Sequence, residues 1–236
     1  MTKLNEKYFA NGKNLRDYKG YIFDLDGTLL DSKKDLTAAT NATIVAMGGV
    51  AVSEALIESF VGRGVRDLIT KALQGVAGAD SEKALAYFTQ YYLQNGTRHS
   101  QFYPGSDAFL DFLKNQNKLC GILTNKPQIY TDDILQKLDK VKKFDFVLGA
   151  ENGFACKPDP SGFFAILNAW QLQPQDILYF GDSEVDAETA QNAGCDLAMF
   201  LEGYIPEHDL APYYDFATVA FRDYQKLHNH FEAAFG

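Results

Sequence analysis

Tyr21-Ile22-Phe23-Asp24-Leu25-Asp26-Gly27-Thr28 is an apolar run of strand type that stops abruptly at two carboxylates, a glycine and a threonine. If the chain stays extended from Phe23 to Asp26, side chains alternate and Asp24 and Asp26 share one side. Adjacent carboxylates repel unless a cation or a shared proton lies between them. Gly27 lets the backbone turn sharply and approach a ligand. Asp-Gly after a strand is also a common turn signal, so the stretch alone does not decide between turn and site. An EF-hand loop opens with the same Asp-x-Asp, but the spacing excludes it. The glycine falls at loop position four instead of six, and position twelve is Asp35, not Glu.

Outward from this stretch the chain shows two patterns. Apolar residues recur at helical spacing from Leu36 to Met47, with Asp31-Ser32 as a cap and Gly48-Gly49 as a stop. Ser53 opens a second helix, which Phe60-Val61-Gly62-Arg63-Gly64-Val65 breaks; Val65–Leu73 and Ser81–Gln94 read as two more. Leu85, Phe88, Tyr91 and Tyr92 form a face that reads as packing. From Tyr103-Pro104-Gly105 onward, strands at Lys118–Thr124, Phe144–Leu148, Asp176–Gly181 and Cys195–Leu201 alternate with helices at Ser106–Asn115, Pro127–Leu138, Ser161–Trp170 and Glu184–Asn192. Arg222–Phe235 closes the chain as a helix. The alternation predicts an α/β fold, a Rossmann-like parallel sheet with helices on both faces. Residues 1–32 and 100–236 are expected to form this core, and residues 33–99 an inserted α-helical cap. An insertion at that point lies over the carboxyl ends of the strands, where open α/β sheets bind ligands.

Polar clusters end four of the predicted strands: Asp24 and Asp26; Thr124-Asn125-Lys126; Lys157 in Cys156-Lys157-Pro158-Asp159; and Gly181-Asp182-Ser183-Glu184-Val185-Asp186. Each alone could be a turn, a solvated lysine or a helix cap. Together they bring carboxylates, a hydroxyl and a lysine to one edge of a sheet.

These four clusters, in this order, resemble the four motifs of the haloacid-dehalogenase-like superfamily, over about Tyr21 to Gly203. The helical insertion, Asp31-Ser32, Gly62-Arg63-Gly64, Tyr103-Pro104-Gly105 and Thr124-Asn125-Lys126-Pro127 resemble its phosphoglycolate phosphatase group. The resemblance implies a Mg²⁺-dependent phosphatase of a small phosphorylated metabolite, with phosphoglycolate the leading substrate. Asp24 would attack phosphorus and form an aspartyl phosphate. Asp26 would protonate the leaving alcohol and then activate water. Mg²⁺ would be held by Asp24, the Asp26 carbonyl and Asp182, with Asp186 supporting the metal's waters or Lys157. Thr124 and Lys157 would bind the phosphoryl group, with Gly27, Thr28, Asn125 and Lys126 around it. Arg63 is the candidate for the carboxylate of phosphoglycolate. Asp26 argues against the superfamily's dehalogenases and phosphonate hydrolases, which lack a second Asp. A sugar phosphomutase, or a non-catalytic binding module on the same fold, stays open. The N-terminal leader and the segment 203–214 depart from the family's habit.

Composition bounds the rest. With 236 residues, 46% of them apolar, the chain can bury a substantial core and is not globally disordered. A formal charge of -9 argues against broad binding of nucleic acid or anionic membranes, and no apolar run suits a membrane span. Cys120, Cys156 and Cys195 match no zinc spacing and suit a reducing compartment, so a cytoplasmic protein is expected; whether it is a monomer or a homodimer stays open. His99, His208, His228 and His230 are scattered and do not read as catalytic.

Overall fold

The computed structural model describes residues 9–10 and 15–235. Its strands are β1 (Phe9–Ala10), β2 (Gly20–Phe23), β3 (Leu30–Asp31), β4 (Gln101–Phe102), β5 (Leu119–Pro127), β6 (Phe146–Ala150), β7 (Ile177–Gly181), β8 (Asp196–Phe200) and β9 (Val219–Phe221). The helices are α1 (Lys33–Ala46), α2 (Glu54–Glu58), α3 (Val65–Ala72), α4 (Ser81–Asn95), α5 (Ser106–Asn115), α6 (Gln128–Lys137), α7 (Ser161–Trp170), α8 (Glu184–Ala193), α9 (Glu207–Leu210) and α10 (Tyr224–Phe235).

Strands β2 and β7 are buried along their whole length, which is why they read as unbroken apolar runs. Alternation sorts their side chains to two cores. Tyr21, Phe23, Leu178 and Phe180 join the cluster on one face of the sheet, and Ile22, Ile177 and Tyr179 the cluster on the other. The sheet order is β1-β9-β8-β7-β2-β5-β6. Pairing is parallel from β9 to β6, and β1 adds an antiparallel edge. Because β2 lies between β7 and β5, the ends of these three strands stand side by side, and residues following them meet.

The chain leaves the sheet through β3 and returns through β4, which pair antiparallel, Leu30 with Phe102 and Asp31 with Gln101. Helices α1 to α4 lie between, with no strand among residues 33–99. The buried Asp35 carboxylate fastens the two passages: its Oδ2 accepts from His99 N (2.9 Å), Ser100 N (2.8 Å) and Ser100 Oγ (2.7 Å).

Some expectations change. The first strand ends at Phe23, not Asp26, because the backbone turns: Gly27 has φ +84° and Leu30 N donates to Leu25 O. Ser32 occupies the cap position of α1 but its hydroxyl makes no cap bond. The short strands β3, β4 and β9 and helix α9 were not foreseen. Of Tyr8, Phe9 and Leu15, the leader's candidates for packing against the body, Tyr8 lies outside the described residues, Leu15 packs against the core, and Phe9 pairs with Ala220 through the backbone. The His228 ring packs on Phe112. Among the described residues no helix is long and apolar enough to cross a membrane.

Replacing Asp35 strands three backbone and hydroxyl donors in a buried place. Asp35→Ala is expected to cost about 2–4 kcal/mol of stability in a urea titration. A change within about 0.5 kcal/mol would show that Asp35 is not a fastening.

Candidate active site

Asp24 follows β2 directly, and its N–H continues the ladder to Phe180 O at 2.8 Å. Asp182 follows β7 in the same way. In β5 the register with β6 shifts between Leu123 and Pro127, so Thr124, Asn125 and Lys126 leave the ladder and turn toward the site.

Asp24, Asp182 and Asp186 are all buried, and each offers an oxygen within 4.8 Å of the others. Asp182 is held by Thr28 Oγ1, which donates to Oδ1 (2.8 Å), and by Tyr204 N, which donates to Oδ2 (2.9 Å). Asp186 is already engaged on both oxygens. Its Oδ1 accepts from Lys157 Nζ (2.7 Å) and Tyr179 OH (2.9 Å), and its Oδ2 from Ser183 Oγ (2.5 Å) and the Asp182 and Ser183 amides (3.2 Å each). Lys157 Nζ also stands 2.8 Å from Asp24 Oδ1. Glycines leave room for these carboxylates. A Cβ at Gly27 or Gly203 would lie 2.3 Å from Asp182, and one at Gly181 2.2 Å from Asp186.

The electrostatics follow from burial. Desolvation pushes Asp24 up to about 6, against the pull of Lys157, with Asp186 adding to the rise. Desolvation, then Asp186 and Asp24, pushes Asp182 well above the carboxylate range. Burial works against the Lys157 charge, but Asp186 and Asp24 hold it above its ordinary value. When ionised, three carboxylates face one ammonium. The deficit of positive charge and the oxygen donors fit a divalent cation, with Asp24 and Asp182 the carboxylates best placed to hold it, since the Asp186 oxygens already accept five hydrogen bonds.

A second network sits beside the first. Lys126 Nζ donates to both oxygens of Asp26 (3.0 and 2.8 Å) and to Tyr92 OH (2.9 Å). Ser32 Oγ adds a 2.5 Å bond to Asp26 Oδ1. Desolvation opposes the Lys126 charge, but Asp26 and Tyr92 raise its pKa; burial pushes the Tyr92 hydroxyl up to about 12, so it stays a neutral O–H. Asn125 joins three segments: its Nδ2 donates to Gly62 O (2.9 Å) and Lys157 O (3.1 Å), and its Oδ1 accepts from Lys157 N (2.8 Å). Both networks open on a cavity of about 60 Å³. Its lining includes the polar Asp24, Asp26, Thr124, Lys126 and Lys157 and the apolar Val61, Val65, Leu68 and Phe88, with Tyr92.

Several expected phosphate-side residues stand elsewhere. Thr28 is fully buried and serves Asp182. Gly27 makes space for Asp182, and its N–H is spent on Leu30 O (2.9 Å). Lys126 does line the cavity, with its Nζ bonded to Asp26 and Tyr92. Arg63 is exposed and does not line the cavity; its neighbours Gly62 and Gly64 do. Tyr92, Ser32, Tyr179 and Tyr204 were missed. Tyr92 sat on a face whose aromatic character signalled packing, and only its hydroxyl hinted at more. Ser32 was read as a cap.

Fold and site together define an α/β enzyme with an acidic, cation-accepting centre at the strand ends. The chain belongs to the haloacid dehalogenase-like hydrolase family, which it matches over residues 21–200. It is 35% identical over 207 residues to a phosphoglycolate phosphatase of Cereibacter sphaeroides, covering 83% of this chain and 94% of that protein. A phosphoglycolate phosphatase of Vibrio cholerae is 35% identical over 197 residues, covering 80% of this chain and 87% of its own. The crystal structure of a predicted phosphoglycolate phosphatase from Haemophilus somnus superposes with a TM-score of 0.80 at 28% identity, covering 92% and 99% of the two chains.

A pH-dependent stability follows from Asp24. Its pKa rises from 3.8 to about 6 on folding, so its contribution is fully present below 3.8 and is lost as pH rises through about 6. Metal-free protein should therefore lose melting temperature across that window. Saturating divalent cation should raise it more at pH 8 than at pH 5. Equal stabilisation at both pH values would remove the carboxylates from cation binding.

Proposed function

We propose that this protein is a Mg²⁺-dependent phosphatase that hydrolyses phosphoglycolate through an aspartyl phosphate on Asp24. The supporting observation is the buried carboxylate cluster around Lys157, opening on a small cavity. The named relatives support the same reaction class. Mg²⁺ on Asp24, Asp182 and the Asp26 carbonyl would supply positive charge to the phosphoryl oxygens.

The chain's own groups divide the remaining work. The Asp24 carboxylate forms a bond to phosphorus as the bond to the leaving oxygen breaks. Asp26 gives its proton to that oxygen, and in the second step takes one from the water that bonds to phosphorus as the Asp24–phosphorus bond breaks and the carboxylate is regenerated. Thr124 accepts from Lys126 N at 3.2 Å, which leaves its own proton to donate to a phosphoryl oxygen. Lys157 offsets charge on the nucleophile and phosphate, held by Asp186 and Tyr179. Asn125 sets the Lys157 backbone instead of touching phosphate.

The inserted helices act as a cap, and α3 gives the substrate carboxylate its place. This helix starts at Val65 beneath the Gly62–Gly64 turn, with no side-chain cap, and Gly64 and Val65 line the cavity. Unpaired N–H groups at a helix start favour an anion. The free thiols of Cys120, Cys156 and Cys195 suit a reducing cytoplasm.

Phosphate release from a panel of phosphometabolites with Mg²⁺ tests this reading. Phosphoglycolate should rank first. Rearranged sugar phosphate without net phosphate release would select a mutase instead. Asp24→Asn should lose turnover by several orders of magnitude with native circular dichroism; retention of more than a tenth of the activity would exclude Asp24 as nucleophile. Arg63→Ala should stay within about threefold of wild type on phosphoglycolate, because long-range attraction by an exposed charge is screened. A loss of about tenfold or more, confined to phosphoglycolate, would return the guanidinium to the carboxylate.

A further inference from the structure

We propose that Tyr92 is a positioning residue for the reaction, acting through Lys126 on the Asp26 carboxylate. The inference rests on reading Asp26 as the proton donor and acceptor. Three separate segments meet on one buried ammonium: Asp26 after β2, Lys126 in β5 and Tyr92 in α4. An ammonium has three N–H groups, and here two go to the Asp26 oxygens and one to the Tyr92 hydroxyl. These contacts hold the ammonium against Asp26, so Lys126 orients its neighbour.

The tyrosine hydroxyl is itself fixed. Its ring stacks on Phe88 with centroids 5.4 Å apart and meets Tyr130 edge-on at 5.3 Å. The Tyr92 residue is 1% exposed, the Lys126 side chain 3% and the Asp26 side chain 12%. Within this network, the carboxylate is the most exposed member, and it lines the cavity. Without the hydroxyl, one buried N–H of Lys126 has no acceptor and the ammonium must tilt to find one. Asp26, bonded through both oxygens, moves with it. Displacements of this kind at a reacting group are costly.

The chain position of Tyr92 adds a consequence. Helix α4 belongs to the inserted segment, so Asp26 is aimed correctly only while that segment is seated on the sheet. Asn125 makes a parallel connection, from Gly62 O in the insertion to the backbone of Lys157. The two residues after Thr124 thus tie both networks to the insertion.

Tyr92→Phe keeps the ring and removes the hydroxyl. Its target is 2-phosphoglycolate, or whichever alkyl phosphate wild type turns over fastest, compared with 4-nitrophenyl phosphate. An alkyl leaving group needs its proton, and an activated aryl one does so much less. The expected result is a loss of kcat of about tenfold on the alkyl ester, the scale of one hydrogen bond to a charged group, with KM within about twofold. Single-turnover phosphorylation by the aryl ester should change less than about threefold. In an Asp26→Asn background, Tyr92→Phe should cost nothing further.

Equal losses on both esters with a lowered melting temperature would make Tyr92 a packing residue and overturn the proposal. So would a full additional loss in the Asp26→Asn background, since Tyr92 would then act elsewhere. Asp26→Asn alone separates the two levels. If it affects both esters equally, the acid–base reading fails and takes this inference with it. If it is selective and Tyr92→Phe is not, only the inference fails.

Discussion

The site is governed by the cost of burying Asp24, Asp182 and Asp186 together with a single nearby ammonium. Ionised carboxylates in low dielectric are costly unless paired, and one lysine cannot balance three of them. Much of the surrounding structure answers this constraint. Thr28 and the Tyr204 amide supply hydrogen bonds to Asp182. Tyr179, Ser183 and Lys157 occupy Asp186. Gly27, Gly181 and Gly203 leave space that any side chain would fill. What these partners leave uncompensated is charge, and a cation is the natural remedy.

The arrangement also divides the labour between two lysines. Lys157 lies between Asp24 and Asp186, and Lys126 holds Asp26. The two carboxylates of the Asp24-Leu25-Asp26 stretch therefore have different partners although one residue separates them.

Much of this was legible in the sequence, and the limits have physical causes. The buried strands and the amphipathic helices announced themselves because burial dictates apolar periodicity; Ser161–Trp170 fell where the pattern put it. Short strands such as Leu30–Asp31 and Val219–Phe221 carry too few residues for a period to register. In the site, Asp24, Asp182 and Lys157 are brought together as their places after the strands suggested. Thr28, Lys126 and Asn125 were harder, because a polar residue near a site can face substrate or a neighbouring side chain, and only tertiary geometry decides. Tyr92 shows the reverse difficulty. An aromatic ring in a packing face looks the same in sequence whether or not its hydroxyl has work to do.

The paired strands β3 and β4 have a consequence for how such a chain can vary. Asp31 and Gln101 are direct cross-strand partners, so the helices leave and rejoin the sheet at one point. To the sheet, everything between is a closed loop whose ends are already fixed. The entropy of closing a loop grows only slowly with its length. The insertion can therefore lengthen, shorten or be exchanged with little penalty to the strands beneath. The polar contacts that Asn125 and Lys126 make with Gly62 and Tyr92 are what any replacement segment would have to meet.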